Sequence, residues 1–219
     1  MKKVYIYKGF ERFWHWTQAA LIILLGITGF EIHGFYAVFG FENAVEVHNI
    51  AALALVVLII FAIFWHLTTG EWRQYMPTTQ NLKAQANYYI TGIFKNAPHP
   101  TRKTLLSKLN PLQRLVYLAL KIFLIPLMVI TGLLYLFYRY PYAGQIRSLG
   151  LENIELVALL HTIGAFAITA FIIVHIYLIT TGHTLTSNLK AMITGWEELD
   201  EKNVDDNQQT PKNPKQYEI

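Results

Sequence analysis

The sequence predicts an all-α membrane protein: a four-transmembrane-helix bundle built from two parallel helical-hairpin repeats, with both termini cytoplasmic. Three observations carry that prediction. The chain is 53% hydrophobic and only 15% charged, too apolar for an ordinary soluble domain. It contains four apolar runs, each longer than the ~18 residues needed to cross a bilayer. Its second half also repeats features of its first.

The four runs cover residues 13–32, 47–70, 113–138 and 154–182, with a long connection over 71–112. No Asp or Glu lies well inside any of them, and Lys121 is the only basic residue deep within one, placed so that it can snorkel to the near end. The opening run is longer than a secretory h-region and lacks a small-x-small cleavage site, so it reads as a retained helix. Basic residues set the orientation. Lys2, Lys3, Lys8 and Arg12 precede the first run, and Arg73, Lys83, Lys95, Arg102, Lys103 and Lys108 fill the long connection. The connection between the first two runs has none, and the last has only Arg139 and Arg147. The positive-inside rule then places both termini and the 71–112 connection in the cytoplasm. The net charge of +4 expresses this bias and implies no nucleic-acid partner.

The repeat is visible by eye. "HNIAALALVVLIIFAIFWHLTTG" and "HTIGAFAITAFIIVHIYLITTG" both open on His and close on Thr-Thr-Gly. Asn81-Leu82-Lys83-Ala84 recurs as Asn188-Leu189-Lys190-Ala191, and Thr28-Gly29 as Thr131-Gly132. Such parallel repeats are related by an axis along the membrane normal. Gly26, Gly29, Gly132 and Gly164 allow close approach of a helix or a flat cofactor. Pro126 should bend the third span, and an amphipathic helix is expected around 81–94 on the inner surface. Residues 199–219 are polar and acidic and read as a disordered tail.

Cysteine is absent, which excludes disulfides, thiolate metal sites and covalent haem attachment through C-x-x-C-H. Histidine is left to do the chemistry. His161 and His175 stand fourteen residues apart in one helix. That spacing returns them to the same face, ~21 Å apart along the axis. Each needs a partner at its own depth: His48, the repeat equivalent of His161, at the outer level, and His15 at the inner. Neutral imidazole is a good axial ligand, and two on one haem iron suit electron transfer. His66 competes with His15 for the inner place but falls nearer the membrane edge. His33 and His183 lie at the edges as interfacial residues, and His99, between two prolines, reads as solvated.

"ERFWHW" at the first helix, "HTIGAFAITAFIIVHIYLITTGHT", "NPLQ" before the third helix and "AMITGWEE" after the fourth carry a resemblance. Together they resemble the b-type cytochrome subunits of nickel–iron hydrogenases, formate dehydrogenases and thiosulfate-reductase-like complexes. The resemblance implies two non-covalent haem b groups, the inner held by His15 and His175 and the outer by His48 and His161. It implies a menaquinone or ubiquinone site near Asn110 and Gln113, although a helix cap at Asn110 explains that residue equally well. It further implies an extracytoplasmic iron–sulfur or multihaem partner, making the chain a subunit rather than a complete enzyme. A stand-alone haem b quinone oxidoreductase acting on a small substrate is the alternative. A haem-free transporter using the histidines is third, disfavoured by the lack of intramembrane carboxylates.

Overall fold

The computed structural model describes residues 2–95, 97–101, 108–139 and 154–199. Arg102, Lys103 and Arg147 lie outside them, as does the tail from residue 200. The described chain is mostly helical, and four helices are long and apolar enough to cross a membrane.

The elements are β1 (Lys2–Tyr5), α1 (Gly9–Ile32), α2 (Phe41–Thr69), a 3₁₀ turn (Glu71–Tyr75) and the short α3 (Leu82–Asn87). Then come α4 (Pro111–Ala119), a π turn (Leu120–Leu124) and α5 (Ile125–Arg139), which together make the third span. The chain finishes with α6 (Glu155–Ile179), α7 (Ser187–Thr194) and β2 (Trp196–Leu199). They fall into two compact units, residues 13–71 with 119–178 and residues 1–12 with 72–118 and 179–219.

The first unit is a membrane bundle turned apolar side out. Phe61, Phe64, Leu67, Phe123 and Ile173 are exposed, whereas Thr28, Ala44, Ala51, Ala62, His66 and Thr131 are buried. Lipid offers no hydrophobic incentive for helices to associate, so they meet through small and polar residues that permit close backbone approach. On α2 the buried stripe Ala44, Ala51, Leu58 follows a seven-residue interval and so stays on one face. Gly164 serves the same end: a Cβ there would lie 2.5 Å from Met128 Sδ. Its missing side chain leaves room for Met128 of α5. α1 and α2 are antiparallel, since Thr28 meets His48 and Trp14 meets His66. α5 and α6 are likewise antiparallel, with Thr131 at His161 and Met128 at Gly164.

Two helix starts and the interior of the third span differ from expectation. α1 starts at Gly9, four residues early, because the Glu11 carboxylate accepts the Lys8 backbone N–H and closes its first turn. α2 starts at Phe41, so Glu42 and Glu46 lie in its opening turns, where the positive end of the helix dipole favours carboxylates. The cause is Glu31, which is 4% exposed in the last turn of α1. Its Oε1 accepts the N–H groups of Val38, Phe39 and Gly40 at 2.7–2.8 Å, fastening the short connection. In the third span, Pro126 has no N–H to donate, and its ring would meet the Ile122 carbonyl in a regular helix. The π turn widens the helix at that point.

The second unit carries what the all-α expectation missed, an antiparallel pair of strands. Lys3 lies opposite Glu198 and Tyr5 opposite Trp196, whose rings meet edge to face at 5.3 Å. The stretch 197–199 is therefore strand, although Leu199 had been expected to begin the disordered tail. Below the strands, Gly195 O accepts the N–H groups of Ile6 and Tyr7, and the Arg12 guanidinium reaches Ile193 O at 2.6 Å. Burial, and then the neighbouring Glu197 and Glu11 carboxylates, pushes the Tyr7 phenol well above its ordinary range, so it stays neutral. Lys108 and Glu11 form an ion pair at 2.7 Å. The expected amphipathic helix is present as α3 but passes through a π turn (Tyr88–Gly92) and a 3₁₀ turn (Ile93–Lys95). His99 is exposed, as expected, and its ring stands 4.7 Å from Tyr88 with Nδ1 2.7 Å from Thr101 O.

Gly195 has φ +86°, and a Cβ on it would lie 2.5 Å from the Tyr5 ring and 2.8 Å from Tyr7 O. Gly195→Ala should therefore cost about 1–3 kcal/mol from backbone strain alone. Unfolding in detergent should show that loss, and limited proteolysis should cut first near Lys2–Tyr5.

Candidate functional site

Two histidine pairs form inside the bundle. His15 of α1 faces His175 of α6 with ring centroids 6.2 Å apart and planes tilted by 50°. His48 of α2 faces His161 of α6 at 6.4 Å and 66°. α6 thus contributes one ring to each pair, and its rise separates them by ~21 Å. The pairing anticipated from helix depth is the pairing observed. His66 takes another place: its Nδ1 is 2.6 Å from Ala62 O and its ring lies edge-on to Trp14 at 5.3 Å. His33 and His183 are both exposed.

The tautomers of one pair follow from hydrogen counting. Thr28 Oγ1 is 2.8 Å from Leu24 O, a pure acceptor, so its single hydrogen goes there. It stands 2.9 Å from His48 Nδ1 and must accept from it. Thr131 repeats the arrangement, with 2.6 Å to Leu127 O and 2.8 Å to His161 Nδ1. Both rings therefore carry hydrogen on Nδ1 and present a bare Nε2 lone pair, the form a metal ligand needs. The next residue completes each cradle. A Cβ at Gly29 would meet His48 Cε1 at 3.6 Å, and one at Gly132 would meet His161 Cε1 at 3.5 Å. The repeated Thr-Gly was visible in the sequence, but its role as a histidine support was not. The other pair is built differently. Phe171 stacks on His175 at 5.5 Å, and buried His15 Nδ1 has no hydrogen-bond partner among the described residues.

The spacing tests which metal group would fit. A metal–imidazole bond of about 2.0 Å, plus roughly 1.1 Å from nitrogen to ring centre, would set two imidazoles on opposite sides of one metal about 6.2 Å apart. Both pairs match that distance. Among the described residues no three His, Asp or Glu side chains converge on one point. A metal here needs its remaining ligands from a non-protein group, which is what a porphyrin supplies.

Asn110 and Gln113 form a reciprocal cap at the start of α4. Gln113 N donates to Asn110 Oδ1 at 2.9 Å, and Asn110 N to Gln113 Oε1 at 3.0 Å. Asn110 Nδ2 donates to the Tyr89 hydroxyl at 2.9 Å. Lys121 Nζ lies 5.4 Å from the centre of the Trp14 ring, near the start of α1.

Comparison with known proteins agrees with this chemistry. The sequence profile of the family described as prokaryotic cytochrome b561 matches residues 6–195. The chain is also 31% identical over 202 residues to a protein of Escherichia coli (strain K12) named "Putative cytochrome YdhU". That match takes in 89% of this chain and 75% of the relative. The chain belongs to the prokaryotic cytochrome b561 family, membrane cytochromes of the haem b class.

Proposed function

We propose that the chain is a dihaem electron-transfer subunit, with haem b ligated by His15 and His175 at the inner level and by His48 and His161 at the outer. The observation that carries this reading is the 6.2 and 6.4 Å spacing of the two pairs, each suited to trans ligation of one iron. Haem b, when bound, supplies a one-electron iron couple. The chain's residues do the rest. His15 with His175, and His48 with His161, would each hold a haem between them, and the chemistry it would supply there is one-electron transfer, which favours that role over the stand-alone enzyme. Thr28 and Thr131 fix ring orientation, and the surrounding apolar helices exclude water.

The Thr-Gly-supported histidines recur in both halves of the chain, which supports two parallel hairpin repeats. The basic residues around α1 and in the 71–112 connection support cytoplasmic termini. The inner pair then lies toward the cytoplasm, and electrons move between an extracytoplasmic iron–sulfur or multihaem partner and menaquinone or ubiquinone. The quinone assignment rests on the "NPLQ" resemblance. The oxygens of Asn110 and Gln113 are taken up by their reciprocal cap, so only amide N–H groups can donate to a quinone carbonyl.

The purified chain should show a reduced-minus-oxidised b-type spectrum with two haems. His161→Leu should remove one haem and His175→Leu the other, at different midpoint potentials, while His66→Leu keeps both. A single haem in the unaltered chain, or loss of a haem in His66→Leu with none lost in His15→Leu, would overturn the assignment. Thr131→Val should weaken haem retention at the outer pair by about 10–100-fold, with Thr131→Ser close to wild type. Haem loss on dilution in detergent is the measurement.

A further inference from the structure

The two histidine pairs are alike in spacing and unlike in what stands behind the rings. Behind the outer rings are two hydroxyls whose own hydrogens are already committed. Thr28 Oγ1 donates to Leu24 O at 2.8 Å and faces His48 Nδ1 at 2.9 Å. Thr131 Oγ1 donates to Leu127 O at 2.6 Å and faces His161 Nδ1 at 2.8 Å. Toward the imidazoles each hydroxyl can therefore only accept. Both threonines are buried, so water is kept from taking over that role. Behind the inner rings the surroundings are aromatic instead. His15 Nδ1 is buried with no hydrogen-bond partner among the described residues, and its ring lies edge-on to Trp16. The Phe171 ring stacks on His175.

An acceptor behind a ligating imidazole does more than turn the ring. It draws the Nδ1 hydrogen toward itself, which leaves more electron density in the ring and makes Nε2 a stronger donor. A stronger donor favours the metal state that carries more positive charge. On the reading that His48 and His161 hold a haem, that state is the ferric one, a single charge above the ferrous. The hydrogen bond is itself stronger in the ferric state, because part of the iron's charge is shared through the ring with the N–H. Among apolar helices neither effect is diluted by solvent.

We propose that Thr28 and Thr131, by accepting from His48 and His161, hold the reduction potential of the outer haem below the value that its two imidazoles alone would give. Both are positioning residues that act through a histidine. The inner pair has no such oxygen behind His15 among the described residues, so the lowering belongs to the outer level. The two haems would then differ in potential through residues that touch neither iron. Removing both acceptors should shift the outer reduction equilibrium by about tenfold toward the ferrous state.

The test is optical redox titration of the full chain in membranes, with the outer haem recognised by its absence in His161→Leu. Thr28→Val combined with Thr131→Val should raise the outer midpoint by the equivalent of that tenfold shift, ~59 mV for a one-electron couple. Each single variant should give part of the rise, and the inner midpoint should stay put. Thr131→Ser, which keeps the hydroxyl, should leave the outer midpoint at its unaltered value. If the valine variants load both haems with an unchanged or lowered outer midpoint, the proposal fails. Equal displacement of both haems, or the same rise in Thr131→Ser, also defeats it, since either is a structural effect. If the valine variants shed the outer haem, retention is compared in oxidised and reduced protein. Greater loss in the oxidised state supports the proposal, because only an electronic role distinguishes the two states. Loss alike in both, complete loss included, overturns it. Two haems in the unaltered chain with no threonine effect would sink this inference alone. Fewer than two would sink the dihaem reading on which it rests.

Discussion

A threonine hydroxyl has one hydrogen, and where Thr28 and Thr131 send theirs governs the site. Each gives it back to a carbonyl of its own helix, so the oxygen can only accept from the histidine facing it. That single commitment selects the Nδ1–H tautomer, turns the ring and bares Nε2. In water such a bond would compete with solvent. In hydrocarbon the alternative is an unsatisfied imidazole, so a modest interaction becomes decisive. The glycine following each threonine lies against the same ring, where an added Cβ would reach ordinary van der Waals contact with it.

Much of this could be read from the sequence because membranes simplify the geometry. Apolar length gives the spans, basic residues give a direction, and a constant rise converts residue number into depth. His15 could be matched to His175, and His48 to His161, by asking which residues share a level. What escaped that reasoning depended on side chains reaching across turns. α2 began six residues early because a carboxylate on α1 organised its approach, a long-range effect that hydropathy cannot register. Pro126 announced an irregularity but not its form, which became a π turn rather than a simple kink. Asn110 and Gln113 followed the local rule for a helix start, the reading weighed evenly against a ligand role.

The polar inventory of the bundle is correspondingly small, and its members serve different ends. Glu31 closes a connection, the threonines orient rings, and His66 binds its own helix at Ala62 O beside Trp14. Gly164 shows the complementary economy, omitting a side chain so that α5 and α6 can stand close enough to share Met128. The described interior of the bundle is thus assembled from small residues and a few polar ones, while the large apolar side chains face outward.

The strand pair has a consequence for biosynthesis. Lys2–Tyr5 is made before the four long helices of the described chain, whereas its partner Trp196–Leu199 follows all of them. The first strand must wait, with its hydrogen-bonding edge unfilled, while every span is inserted. Contacts between residues so distant in the chain close late, because the loop between them must be ordered first. Closure of β1 on β2 therefore ties residues on either side of all four long helices: a chain truncated before α7 has nothing for its first strand to join.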